Sequence, residues 1–183
     1  MRILLFTLLF LPFIAKSQTT NYHLGQHAEG GIIYQIYYDS IGKQHGLVLS
    51  TTNVSDTAQW GSKDKDLENC ESTWDGKSNT NAILFASRDT LCAAGLCDAF
   101  VSENYDDWYL PALYELIGVY SNLFIIDKAL SDVKGSDPIT LNLYWSSTES
   151  NAASAWFFSF FDGKPSNYYD KTSITMVRAV RSF

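Results

Sequence analysis

Apolar and polar positions change rhythm three times along this chain. Gly30-Gly31 opens Ile32-Ile33-Tyr34-Gln35-Ile36-Tyr37-Tyr38, a β-branched and aromatic run that predicts a strand. A turn over residues 39–43 and a return over 46–50 make it a hairpin. Residues 51–80 are polar, rich in Asn, Asp, Ser and Gly, and read as a long loop that Trp60 and Trp74 pin to the body. From 81 to 100 the period becomes helical, with Ile83, Ala86, Ala94 and Cys97 on one face, and predicts a single helix. Pro111 is placed as the first residue of a second helix reaching about Asn122, its inner stripe being Leu113, Leu116, Ile117 and Tyr120. A short helical turn fits 127–131. After Pro138 the rhythm is that of strands and turns: strands at 144–147 and 156–161, a hairpin turn at Asp162-Gly163, Tyr168-Tyr169 on the return arm, and a last core strand over 175–183. A hairpin, a long loop, two helices and an antiparallel finish make an α+β arrangement without internal repeats.

The ends and the charge narrow the setting. Arg2, an unbroken apolar run over residues 3–15 and Ala15-Lys16-Ser17 form the basic start, apolar middle and small-x-small exit of a secretory signal peptide. The run is shorter than the roughly 20 residues a membrane-spanning helix needs. Residues 1–17 are expected to be a signal peptide and 18–183 a single domain, secreted or held at the cell surface or in the periplasm. The first cysteine is Cys70, so no lipid anchor is expected at the exit, and no later run is long enough for a membrane span. The formal net charge is −7, and loss of Arg2 and Lys16 with the leader makes it more negative. That balance argues against nucleic acid and other polyanions as partners.

Candidate chemistry is sparse. Three cysteines allow one disulfide at most. Cys92 and Cys97, five apart on a helix, have Cα atoms about 8 Å apart on different faces, beyond a bridge. Cys70 could pair with either. His23 and His27 would meet only on a helix, and the glycines around them favour extended backbone, so they read as surface histidines. The acids Asp64, Asp66 and Glu68, and then Glu103, Asp106 and Asp107, are of a kind calcium accepts. Neither set follows the spacing of a calcium loop, and both read as solvated, with Asp106 and Asp107 leading into a helix N-terminus. No metal or cofactor is expected. The chain lacks Gly-x-Ser-x-Gly, and its histidines lie at 23, 27 and 45, so a nucleophile–base pair has no place and no catalytic residue is expected.

Asp107-Trp108-Tyr109-Leu110-Pro111-Ala112-Leu113-Tyr114-Glu115-Leu116 resembles the Trp-x-Leu-Pro-x-x-x-Glu-Leu signature of the bacterial Lcl C-terminal domain family. Tyr144-Trp145-Ser146-Ser147-Thr148-Glu149, Gly163 and Val177-Arg178-Ala179-Val180-Arg181 resemble its later blocks, in order. Cys97, Gly30-Gly31-Ile32-Ile33 and His45-Gly46-Leu47-Val48 fit the same alignment, so the likeness covers nearly all of 18–183. The resemblance implies a C-type-lectin-like fold, two helices flanking a twisted antiparallel sheet with long loops, and extracellular binding, sometimes to glycans or sulfated polysaccharides. The acidic balance departs from a binder of sulfated polymers. The Trp-x-Leu-Pro stretch also distantly resembles formylglycine-generating enzymes of the same fold, but their late cysteines have no counterpart after Cys97.

Two arginines in the last strand must find partners. Alternation puts Arg178 and Arg181 on opposite faces, so one approaches the core, and Glu115 is the expected carboxylate partner. Trp108 and Trp145 are expected core anchors, with Pro111 as the helix start. Trp156, Phe157, Phe158, Phe160 and Phe161 load both faces of one strand with rings, and exposed rings flanked by Asn and Ser suit sugars and protein interfaces. In the lectin-like fold, ligand contacts come from the segment after the Trp-Ser-Ser block, which makes Ser150, Asn151, Trp156, Asn167, Tyr168 and Tyr169 the expected ligand-binding residues. The reading is a secreted, non-catalytic adhesion or binding module that recognises a glycan or protein surface through its C-terminal loops. A structural role in an envelope or matrix assembly is the alternative, and an oxidase-like enzyme ranks last.

Overall fold

The structure, a computed structural model, describes residues 21–183; the expected signal peptide at 1–17 lies outside the described residues. In chain order the elements are β1 (His27–Ala28), β2 (Gly31–Tyr38), β3 (Gln44–Ser50), β4 (Ser55–Gln59), α1 (Gly76–Ser87), α2 (Ala93–Asp98), α3 (Leu113–Ser121), α4 (Leu123–Ser131), β5 (Leu143–Glu149), β6 (Ala155–Ser159), β7 (Lys164–Ser166), β8 (Ile174–Val177) and β9 (Val180–Ser182). They form two sheets, in orders β1-β2-β3-β9 and β4-β8-β5-β6-β7. Neighbours are antiparallel except β5 and β8, which run parallel.

The expected first hairpin is present as β2 and β3, with Ile32 opposite Leu49 and Tyr38 opposite Gln44. Its turn is held by the Asp39 carboxylate, which accepts the N–H groups of Ile41 and Lys43 at 3.0 and 2.9 Å. Consecutive strand residues feed two different cores. Ile33, Val48, Trp145, Phe157 and Val177 enter one, where α1 and α2 contribute Ile83, Ala93, Ala94 and Cys97. Ile32, Leu49, Tyr144, Phe158 and Met176 enter the other, under Leu116, Val119, Ile126 and Leu130 of α3 and α4. Strands covered on both faces lose polar alternation and become continuously apolar, which is why the aromatic run of β6 loads both sides.

Among the described residues, four helices and two sheets stand where two helices flanking one sheet were expected. The helix expected over 81–100 is broken. Arg88 adopts a left-handed conformation (φ 55°) and its N–H bonds the Leu84 carbonyl, ending α1. Ser87 and Asp89 then cap local N–H groups, and α2 starts afresh after Cys92. Short polar side chains that bond their own backbone compete with the helix ladder. The turn expected at 127–131 is a full helix beginning at Leu123, and α3 starts at Leu113, so Pro111 stands two residues ahead of it. The loop before α1 contains β4. There Trp60 is buried and donates its indole N–H to the Ser146 carbonyl at 2.8 Å, while the Trp145 indole donates to Ala58 at 3.1 Å.

The last strand also divides. β8 lies between β4 and β5 in one sheet, whereas β9 pairs with β3 in the other. Tyr109 closes the open side of β9 through paired backbone bonds with Val180, 2.8 and 3.0 Å long. Arg178 sits at the crossing, fully buried. Its guanidinium donates to the Ser50 carbonyl (2.9 Å), the Asn53 amide oxygen (3.0 Å) and the Asp137 carbonyl (3.1 Å from both terminal nitrogens). Arg181 forks onto Asp107 at 2.6 and 3.1 Å, reaches Glu29, and lies 4.1 Å above the Tyr105 ring. Glu115 pairs with neither arginine, because carbonyls and the acids of two distant loops reach them first. Asp107 is accordingly an ion-pair partner rather than a solvated acid.

Arg178→Met takes this donor from the buried Ser50 carbonyl and from the half-buried Asn53 amide oxygen and Asp137 carbonyl. The substitution is expected to cost about 3 kcal/mol or more, read as a lower urea midpoint. Arg178→Lys should not restore it, because one ammonium cannot span the three acceptors.

Candidate functional site

The expected ligand-binding residues separate into two groups. Ser150 and Asn167 meet, the Asn167 amide donating to the Ser150 hydroxyl at 2.8 Å. Tyr168 and Tyr169 stand edge to face at 4.8 Å and both pack on Phe157, at 5.1 and 5.0 Å. Tyr169 is part of the first core's rim, whereas Tyr168 is 70% exposed. A groove of about 220 Å³ runs beside it, lined by Ser159, Asp162, Lys164 and Ser166. Asn151 spends its amide on its own turn, accepting from Ala153 and Ser154 N–H and donating to the Ser154 hydroxyl. Trp156 packs against the second core, on the β6 face opposite Phe157. A groove shared by Trp156 and the two tyrosines therefore does not form. Strand alternation carries Trp156 away, and Tyr168-Tyr169 follow β7 rather than lying on it.

A second surface gathers more rings. Ser72 accepts the N–H groups of Trp74 and Asp75 on its hydroxyl, and Asp75 caps α1 by accepting the Ser78 N–H at 2.9 Å. This folds the end of the long loop against α3, where Tyr114 N–H bonds the Thr73 carbonyl at 2.9 Å. The Trp74 and Tyr114 rings lie 4.4 Å apart, and Trp74 is 72% exposed. Tyr37, stacked on His45, completes a cleft of about 170 Å³ with Gln35, Leu47 and Glu115. Trp74 is thus a surface ring, not a pin. Its indole sits in a polar loop followed at once by a helix cap, and that local chemistry is the one signal that could have marked it.

Glu115 forms the floor of this cleft and also builds it. Its carboxylate accepts the Ala112 N–H at 2.7 Å, the third helical residue reaching back to the N-cap, and the Tyr109 hydroxyl at 3.0 Å. A Cβ at Gly76 would collide with this carboxylate and with the Ala112 backbone, so the start of α1 can approach only as glycine. Burial raises the Glu115 pKa from the ordinary 4.5 to about 7; the bonds from Ala112 and Tyr109 oppose the rise and Asp75 adds to it.

A further cleft, about 490 Å³, lies between residues 65–69 and α1, with Phe85 at its edge 88% exposed. Asp66 and Glu68 line it, while Lys65 turns its ammonium onto the Ala86 carbonyl. His27 contacts Glu103 at 3.0 Å and His45 contacts Asp39 at 3.3 Å. Cys70, Cys92 and Cys97 are all free and buried, and burial raises each thiol pKa. Trp108 and Trp145 are buried in the first core. Among the described residues no helix is long and apolar enough to cross a membrane, and no group of three or more His, Cys, Asp or Glu is placed to hold a metal.

No family model matches the chain, and no curated protein matches it. Among solved structures it is similar to the crystal structure of a fimbrial protein from Bacteroides ovatus, with a TM-score of 0.58 and 17% identity over 74% of this chain and 35% of that one. The chain matches only about a third of that protein's length, and the likeness is one of fold.

The raised Glu115 pKa ties stability to pH. Below 4.5 both folded and unfolded states hold the proton; between 4.5 and about 7 the folded state keeps a proton that the unfolded chain has released. Stability from this group therefore falls as pH rises through that window, by at most about 3 kcal/mol. Glu115→Gln, which cannot ionise, should gain on the wild type by that amount between pH 5 and pH 8 in denaturant titrations.

Proposed function

We propose that this chain is an exported, non-catalytic recognition module of C-type-lectin-like, Lcl-C-terminal-domain character that binds glycan at an extracellular surface. The observation that carries the reading is the cleft of Trp74, Tyr114 and Tyr37 over Gln35 and Glu115. A mostly exposed indole beside two half-exposed phenols offers apolar faces to a sugar ring, and the polar floor offers hydrogen bonds to its hydroxyls. Tyr114 stands on a helix start, Tyr37 on a strand, and the loop carrying Trp74 is tied down by Ser72 and Thr73, so little ordering is needed on binding. The acidic balance supports neutral or amino sugars over sulfated ones. The Tyr168 groove on the C-terminal loops is a second contact surface.

Several features support placement outside the cytoplasm and the absence of catalysis. The leader-like residues 1–17 and the fold shared with a fimbrial protein favour the cell surface. Buried thiols held protonated make poor nucleophiles, which supports a binding role over an oxidase-like one. A structural part in a surface appendage is the second reading, favoured by the same fimbrial likeness.

A glycan array of neutral and amino sugars, run with and without calcium, tests the reading. Trp74→Ala and Tyr114→Ala should each weaken retention about tenfold or more with unchanged melting temperature, and Phe85→Ala should leave it intact. A folded wild-type protein that retains no glycan would turn the assignment toward the structural role.

A further inference from the structure

At the end of β5, beneath Trp60, two charged side chains meet in the interior. The Glu149 side chain is 1% exposed and that of Lys171 0%. The Lys171 ammonium contacts Glu149 Oε1 directly, donates to the Lys65 carbonyl at 2.6 Å and lies 4.9 Å from the Trp60 ring centre. The Leu67 N–H reaches the two carboxylate oxygens at 3.1 and 3.0 Å, and the Cys70 thiol donates to Oε2 at 3.4 Å. Both backbones are fixed. Lys171 N–H bonds the Ala153 carbonyl, its own carbonyl accepts from Trp60 and Gly61, and Glu149 N–H bonds the Cys70 carbonyl. An amine, a carboxyl group, an amide donor and a thiol therefore share one dry, rigid space.

We propose that Lys171 and Glu149 condense into a side-chain amide, an internal cross-link formed with release of one water. A proton first passes from the ammonium to the carboxylate, leaving an amine and a carboxylic acid. The nitrogen lone pair then adds to the Glu149 carboxyl carbon, and the Leu67 N–H stabilises charge on the oxygen, as an oxyanion donor does. The nitrogen gives up a second proton to the departing hydroxyl on Oε1, the oxygen that Lys171 contacts, while Oε2 stays as the amide oxygen under the Leu67 N–H and the Cys70 thiol. The C–O bond breaks, the C–N bond stays, and nothing is oxidised or reduced. Fixed neighbours held in contact supply the effective concentration that such a condensation needs.

Energetics favour the product in this place. A desolvated ion pair in the interior is costly relative to a neutral group of the same shape. The amide removes both charges and orphans nothing, since its N–H keeps the Lys65 carbonyl and its oxygen keeps the Leu67 N–H. Among the described residues all cysteines are free, so this bond would be the covalent tie between the end of β5 and the approach to β8.

Peptide mass mapping of the full chain, denatured after expression, tests this. Trypsin cuts poorly before Pro165, so residues 135–171 form one peptide in an unlinked protein. With the cross-link Lys171 resists cleavage; the peptide should run from 135 to 178, weigh one water less than its sequence, and fragment as a branch joining positions 149 and 171. Lys171→Arg should be cut at 171 and show no such loss. A full-mass peptide ending at Lys171 as the sole product would overturn the proposal. So would a water loss confined to Asp162-Gly163 with free cleavage after Lys171, the signature of a succinimide.

Discussion

The architecture depends on one buried guanidinium. The C-terminal segment leaves the five-stranded sheet after Val177 and enters the four-stranded sheet at Val180, and the two residues between belong to neither. Such a crossing exposes backbone groups that need partners in the interior. Arg178 draws two separate segments, the exit of β3 at Ser50 and Asn53 and the approach to β5 at Asp137, onto one side chain. Burial lowers its pKa to about 10, so it remains charged at neutral pH and its bonds remain charge-assisted. The two cores meet along this line, because Val177 and Ala179 face one while Met176 and Val180 face the other.

The Trp-Ser-Ser-Thr-Glu stretch has a related role in polar form. Ser146 donates to the Trp156 carbonyl, Thr148 donates to Ser72 and accepts from Leu113 N–H, and the Ser147 hydroxyl accepts from Asn79. Each hydroxyl replaces a strand partner that β5 would otherwise lack where helices and loops cross it. Buried hydroxyls so matched specify which segments meet, since any other arrangement would leave them unsatisfied. The ring cleft is a by-product of the same scaffold. Glu115 fastens α3, Tyr109 and the start of α1, and Trp74 and Tyr114 project from the two segments it brings together.

Elements whose signal is local were legible in the sequence. The first hairpin, β5, β6 and the Asp162-Gly163 turn, where Gly163 has φ 71°, follow from runs, alternation and turn chemistry. The break at Arg88 was not, because a left-handed arginine carries no compositional mark and Ala86 and Ala94 happen to stay in phase across it. The arginine partners were hidden for another reason. Asp107 and Glu29 lie far from Arg181 in sequence, and only the docking of Tyr109 beside β9 brings Asp107 within reach. Trp74 and Trp60 look alike as isolated tryptophans in one polar loop; a sheet covers the second and solvent the first. The Lys171–Glu149 contact joins the end of β5 to a lysine 22 residues on, a pairing that no spacing rule encodes.

The divided final strand has a kinetic consequence. Residues 174–182 supply the middle of one sheet and the closing strand of the other, and their partners lie at residues 44–50, 55–59, 109 and 144. Neither layer is complete while that segment is missing, and loops spanning most of the polypeptide must close together at the final step, which slows assembly. Until residues 174–182 dock, both sheets stay open at once, so a single late event locks the two layers together.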